Sequence, residues 1–282
     1  MASESGFNPI SHVADSHEIE IFDSAHIVIH LPEPITKFQI LIFLSAVIVL
    51  IAFSWLGKKV ATGERPKGRL WNFLEMLLLF IRDQVARPSI GEHDYKRFLP
   101  FLWTLFFFIL VMNLLGMIPF LGSATASLAV TGVLAGISFG VTHYNGLVAN
   151  HGFKNYMKTF IPHIDTSDPV MKIMGPPLLV GLFLLEVLGA VIRGVVLAVR
   201  LFANMLAGHT ALVVLLSFIM MAGKAALEGS AQANTFFWPI TIASVGMVTM
   251  LSLLELFVAC LQAFVFTFLT AIFIGLAMHP QH

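Results

Sequence analysis

The chain has 282 residues, 57% of them hydrophobic and only 11% charged, with no net charge at neutral pH and a mean hydropathy of +0.88. A soluble domain carries roughly 25% charged residues, so this composition implies a membrane-embedded chain and gives no support to nucleic-acid binding. The single cysteine, Cys260, excludes an internal disulfide, and the start shows no basic segment, apolar core and small-residue cleavage site of a removable signal peptide.

Residues 1–35 hold six acids (Glu4, Asp15, Glu18, Glu20, Asp23, Glu33) and no Lys or Arg. His12, His17, His26 and His30 in this stretch could bind a metal. Exposed, uncommitted histidines are the simpler reading, and no metal site is expected. The membrane domain is expected over 36–278. A first crossing over 36–57 is uncharged from Phe38 to Gly57, enough to span a core of about 30 Å. Lys58, Lys59, Arg65, Lys67 and Arg69 follow at once. By the positive-inside rule that loop faces the cytoplasm and the N-terminus lies outside.

Residues 70–87 are apolar but too short and too charged to span, and Pro88 is expected to stop them, so an interfacial helix is predicted. Residues 98–142 run without a charge or a histidine, and Pro119, Gly122 and Ser123 divide them into a hairpin of two crossings. Gly132, Gly136 and Gly140 leave a groove in its second arm where another helix can pack. Residues 143–174 are polar and carry Lys154, Lys158 and Lys172, again cytoplasmic by charge. Two apolar segments follow, 178–222 and 235–278. At 1.5 Å per residue each is roughly twice the hydrocarbon thickness. Each must tilt steeply or break into two spans. Missing turn signals favour a tilted hairpin closed by 223–234, giving about five crossings and a cytoplasmic C-terminus. The predicted fold class is therefore all-α, polytopic.

The ionisable residues of 178–222 are Glu186, Arg193, Arg200 and His209. Steps of seven drift only about 20° around a helix, so the first three form one stripe, joined by Asn204 a turn after Arg200. His209 falls on the opposite face. The last segment holds one ionisable residue, Glu255, with Gln262 close to the same face. A guanidinium inside an apolar span costs roughly 2.5–3.5 kcal/mol on insertion scales and does not give up its proton. Arg200 thus reads as a fixed cation beside a water-filled path or a mobile carboxylate. Glu186 and Arg193 read equally well as an ion pair within the helix, and His209 as a hydrogen-bonded structural residue. No phosphate-cradling glycine loop is present, so the chain has no ATP site of its own. A secondary transporter is the main rival, but it usually shows internal repeats and broken helices, and no repeat is visible. A haem-carrying subunit would need axial ligands at membrane depth, where only His209 lies, so no cofactor is expected.

The stretch Arg200-Leu-x-x-Asn204-x-x-Ala207-Gly208-His209 resembles the signature of subunit a of F-type ATP synthases. Glu255-Leu-Phe-Val-Ala-Cys-Leu-Gln262 resembles that family's last helix, and Met112-Asn-Leu-Leu-Gly-Met-Ile-Pro119 its earlier hairpin turn. The resemblance covers roughly 35–278. It implies a proton-translocating stator subunit of the membrane sector, in a bacterial inner membrane, with a c-ring and peripheral-stalk b subunits as partners in the ATP synthase complex. It implies two aqueous half-channels, with Arg200 facing the rotor carboxylate and Asn204 and Gln262 lining the same interface. His209 and Glu255 would be the polar pair of the outer half-channel, and Glu186 is expected on the inner side. Many bacterial members carry the acid and the histidine at the opposite two positions. Where some members carry an acid in the hairpin turn, this chain has Gly116, so no channel role carries over there.

Overall fold

The computed structural model describes residues 18–22, 27–30, 36–61, 68–118, 123–150, 152–158, 169–227 and 231–278. His12, His17 and His26 lie outside these residues. Two short strands precede the helices. β1 (Glu18–Phe22) and β2 (Ile27–His30) pair antiparallel, Glu18 opposite His30, with the register broken between Glu20 and Phe22. Alternating apolar residues in Glu18-Ile-Glu-Ile-Phe22 and Ile27-Val-Ile-His30 carry the period-two signal of such a hairpin.

The rest is helical. α1 spans Lys37–Ala61. α2 (Arg69–Phe80) continues through a π-helical turn, Ile81–Ala86, into α3 (Arg87–Ile90). Pro88 does not stop this segment, contrary to the sequence reading. Proline is tolerated in a first helical turn, and here it falls at the start of α3. The wide turn lets the Arg87 N–H reach Arg82 O. The stop is Gly91, whose φ of 105° is open mainly to glycine.

α4 covers Tyr95–Gly116 and α5 Leu128–Ala149, with a 3₁₀ turn at Ala124–Ala126 between them. Gly116 is required there by space. A Cβ on it would collide with the Ser123 side chain. The glycine face of α5 meets nothing else in the described chain: Gly132, Gly136 and Gly140 have no atom within 4 Å of an added Cβ. The opposite face, with Thr131, Leu134, Ala135, Ser138 and Thr142, is the buried one.

After the short α6 (Phe153–Lys158) come two long helices, α7 (Pro169–Leu227, 59 residues) and α8 (Ala231–Met278, 48 residues). Both extend beyond the 178–222 and 235–278 read from hydropathy, and each is continuous. Continuity disposes of the alternative in which each breaks into two spans. Among the described residues four helices are long and apolar enough to cross a membrane: α1, α4, α7 over Val180–Leu212 and α8 over Thr241–Met278. α5 has comparable length at 22 residues, but His143, Tyr144 and Asn145 near its end lower its hydropathy. The chain is thus an all-α polytopic membrane protein with a small β-hairpin ahead of its first span.

The chain divides into two compact units. The first joins Met1–Thr62, Phe107–Val130 and Leu201–Ala263; the second joins Gly63–Phe106, Thr131–Arg200 and Phe264–His282. In the first, α1 packs on the 3₁₀ turn, and Phe53 meets Phe107 edge to face, with ring centroids 5.4 Å apart. Ala126, Met205 and Ala259 form a small buried cluster, with Met117 and Leu206 against it. In the second, the Trp103 indole N–H donates to Leu78 O at 3.0 Å, and Phe80 packs on Phe264. These contacts seat α2 against α4 and α8. A Cβ on Gly275 would strike the Ser89 carbonyl, so α8 meets the end of α3 backbone to backbone.

Candidate functional site

The first unit gathers polar side chains where an apolar core would be cheaper. Asn204 of α7 donates from Nδ2 to Gln262 Oε1 of α8 at 2.9 Å. One turn along α7 and two along α8, the Glu255 carboxyl lies on the backbone of Gly208: an added Cβ would sit 2.9 Å from Oε1. As the α7 number rises from 204 to 208 its α8 partner falls from 262 to 255, so the helices run antiparallel here. Gly208 is small because the acid needs that space. Glu255 is 4% exposed and Gln262 1%. Two residues that the sequence placed on one face of the last helix are therefore both turned inward.

A third helix contributes a residue that the sequence reading left without a role. Asn113 of α4 is fully buried and donates from Nδ2 to Ala259 O at 3.2 Å, between the levels of Glu255 and Gln262. Its Oδ1 and the Gln262 Nε2 find no hydrogen-bond partner among the described residues. An amide in a dry core costs about 1–3 kcal/mol for each unsatisfied group. An acceptor and a donor left open on adjoining turns are what a water path between α4 and α8 would satisfy. An asparagine inside Trp103-Thr-Leu-Phe-Phe-Phe-Ile-Leu-Val-Met-Asn113 was the available signal: a lone amide in a membrane span.

His209 is part of α7, and its side chain lies outside the described residues. Its backbone follows Gly208, on which the Glu255 carboxyl rests. Arg200 closes the second unit's stretch of α7 and is exposed, beside the exposed Val196 and Val199. Among the described residues no acid forms an ion pair with it.

The second unit carries the other two members of the stripe. Glu186 Oε1 and Arg193 Nη2 lie 3.5 Å apart, with side chains 53% and 42% exposed. The Arg193 guanidinium also sits 5.7 Å from the Phe273 ring centroid, a cation–π distance. The ion-pair alternative for Glu186 and Arg193 is thus realised. The stripe divides: Glu186, Arg193 and Arg200 face outward, while Asn204 turns to α8.

The ATP synthase A chain family matches residues 39–275. The chain belongs to that family. Members similar to it include ATP synthase subunit a of Myxococcus xanthus, 38% identical over 88% of this chain and 74% of the relative. That of Chloroherpeton thalassium is 37% identical over 97% of this chain and 77% of the relative. ATP synthase subunit a 2 of Chlorobaculum tepidum is 39% identical over 86% of this chain and 63% of the relative. Membership of the ATP synthase A chain family, with its bacterial relatives, fits a multi-pass membrane protein of ion transport and ATP synthesis.

Proposed function

We propose that the chain is the proton-translocating stator subunit of an ATP synthase membrane sector, in a bacterial inner membrane. The observation that supports it best is the set of polar groups contributed by three apolar helices: buried Glu255, Asn113 and Gln262, with half-buried Asn204 hydrogen-bonded to Gln262. Polar groups at membrane depth persist where ions pass. In this reading Glu255, with His209 as its partner, belongs to a half-channel from the outer side, Asn113 extends that polar line, and Asn204 and Gln262 belong to the rotor interface. Glu186 lies toward a second half-channel from the cytoplasm, consistent with Lys154, Lys158 and Lys172 in the preceding loop.

The partner is a ring of rotor subunits, each bearing a membrane carboxylate. Outward-facing Leu184, Leu188, Val191 and Val195 on α7 supply the apolar wall that such a ring would cover. A proton entering through His209 and Glu255 neutralises a rotor carboxylate, which can then turn into lipid, where its charged form is penalised. At the inner half-channel the proton leaves. Arg200 attracts the ionised carboxylate between the two channels and keeps protons from crossing directly. Each proton falling through 100 mV supplies about 2.3 kcal/mol, so several must pass for one ATP made in the soluble sector. Peripheral-stalk b subunits would hold the chain against rotation. Unbroken α7 and α8 do not favour a secondary transporter, whose sites use broken helices.

Arg200→Ala in the assembled complex is the test. ATP-driven acidification of membrane vesicles should be abolished, and the membrane sector should conduct protons passively. Normal pumping by that variant would end this reading. Arg200→Lys should fail as well, since an ammonium lacks the planar fork and can lose its proton when desolvated.

A further inference from the structure

A second polar cluster lies wholly within the second unit, where the proposed path through α7 and α8 does not use it. The His143 ring of α5 is hydrogen-bonded through Nδ1 to the Tyr156 hydroxyl of α6. Tyr156 is buried, and its ring fills the space over Gly146, where a Cβ would collide with it. α6 follows Gly152, whose φ of 128° suits glycine. The His143 ring also stands against Phe139, with centroids 3.9 Å apart, and the Phe139 ring lies over Gly194 of α7, at contact distance from where a Cβ would be. Beside Gly194 stands Arg193, tied to Glu186 and to the Phe273 ring. Burial pushes the Tyr156 phenol above its ordinary range, and the Arg193 charge pulls it partly back. The phenol is therefore protonated at neutral pH, and the guanidinium acts on it. The imidazole–phenol pair thus lies within the lysine-bearing segment 143–174, with Phe139 and the Glu186–Arg193 stretch of α7 beside it.

We propose that His143 and Tyr156 form a proton relay that carries protons between the Glu186–Arg193 region and the cytoplasmic water. It rests on the proton-translocating reading above. The pair holds one proton between Nδ1 and the phenol oxygen. When the Tyr156 O–H passes its proton to the imidazole, an N–H bond forms as the O–H bond breaks. The phenol oxygen regains a proton from the neighbouring path, and the imidazole gives one up to water. The pair ends with the protons it began with, and no other reactant is needed. Arg193 is a positioning residue: bound to Glu186 and Phe273, it keeps a fixed positive charge near the pair, so that protons pass rather than accumulate.

The test uses the assembled complex in inverted vesicles, with assembly checked by blotting and Arg200→Ala as reference. His143→Gln keeps hydrogen-bonding capacity toward Tyr156 but cannot titrate; His143→Ala leaves a hole that imidazole can enter. The expected result is loss of most ATP-driven acidification in both, with recovery in His143→Ala on adding imidazole to the cytoplasmic face. Tyr156→Phe, which removes the relay's hydroxyl, should lose most of it as well, and full pumping in that variant overturns the relay. Unchanged pumping in His143→Gln overturns the relay. So does a loss in His143→Ala that imidazole does not restore, which marks a structural histidine. If His143→Ala does not assemble, pumping by His143→Gln decides. A reference Arg200→Ala that pumps normally removes the stator reading itself, whereas a reference that fails as expected confines any negative result to this pair.

Discussion

The two units handle polar groups in opposite ways. In the first, Glu255, Gln262 and Asn113 are almost wholly enclosed by the chain's own helices. In the second, Glu186 and Arg193 are about half exposed and pair with each other. For a soluble protein the exposed pair would be unremarkable and worth about 0–1 kcal/mol. Here the outside of the helix is lipid, water or another subunit, so exposure of a charge is itself a claim that lipid does not cover it. The enclosed groups raise a different question: what satisfies amide atoms that no described side chain reaches. The first unit encloses its polar side chains, and the second presents a charged pair on its outside.

Perturbing the enclosed acid should have the largest effect. Glu255→His and His209→Glu are each expected to remove nearly all ATP-driven acidification. The double exchange should recover a substantial part, because each single change leaves a buried group mismatched and the exchange restores one acid and one imidazole. Defects that simply add in the double variant would separate the two residues and undo the account of the first unit.

Asn113→Leu comes next. It removes one hydrogen bond, worth roughly 0.5–1.5 kcal/mol, while keeping the volume similar. Assembly should survive and proton flux should fall partway. Full flux would show that Asn113 only braces α8 at Ala259.

Gly275→Ala sharpens the comparison from the second unit. Its Cβ would meet the Ser89 backbone carbonyl, which has no flexible end to swing aside. A cost of about 1–3 kcal/mol is expected for such overpacking. Less assembled complex on blots and a lower melting temperature after solubilisation should result, with the pumping of each assembled complex retained. Normal melting would mean that α3 can slide on α8.

The smallest effect is expected at Arg82 and Asp83, whose half-exposed side chains pair at 2.8 Å on the π turn ahead of α4. The Arg82 hydrogen bond holds the Asp83 carboxyl below its ordinary value. Whatever this pair contributes is therefore present above the ordinary carboxylate range and is lost only as pH falls through the lowered value. At such exposure solvent screens it. Asp83→Asn should leave both pumping and melting unchanged at neutral pH. A clear loss would show that this helix is covered in the assembled complex.

Much of this was legible in the residues. Apolar runs of membrane length located the helices of 36–57, 98–142 and the last two segments, because lipid tolerates few charges in any register. The arginine–asparagine–histidine spacing and the final Glu255-to-Gln262 step pointed to the family before any contact was known. Other features were not legible. The sequence reading has Pro88 as a stop, but Pro88 falls in the first turn of α3, after the π turn, and that choice depends on how α2 to α3 seat on α4 and α8. The sequence reading has the N-terminal segment only as acidic and misses the two short strands, whose period-two alternation was the available signal. Gly116, Gly208 and Gly275 are ordinary letters in a glycine-rich chain; only packing shows that Ser123, the Glu255 carboxyl and the Ser89 carbonyl occupy the space their side chains would need.

The sequence by itself determined that the chain is helical, crosses a membrane and places Glu186, Arg193 and Arg200 along one helix stripe. Those properties follow from composition and periodicity, which act within a single segment. Only the tertiary structure decided that Asn204 turns from that stripe to Gln262, that Asn113 joins them, and that His143 meets Tyr156. Each of these depends on which turn of one helix lies beside which turn of another. That register is set by the summed packing of many side chains and small residues, and no local pattern records it.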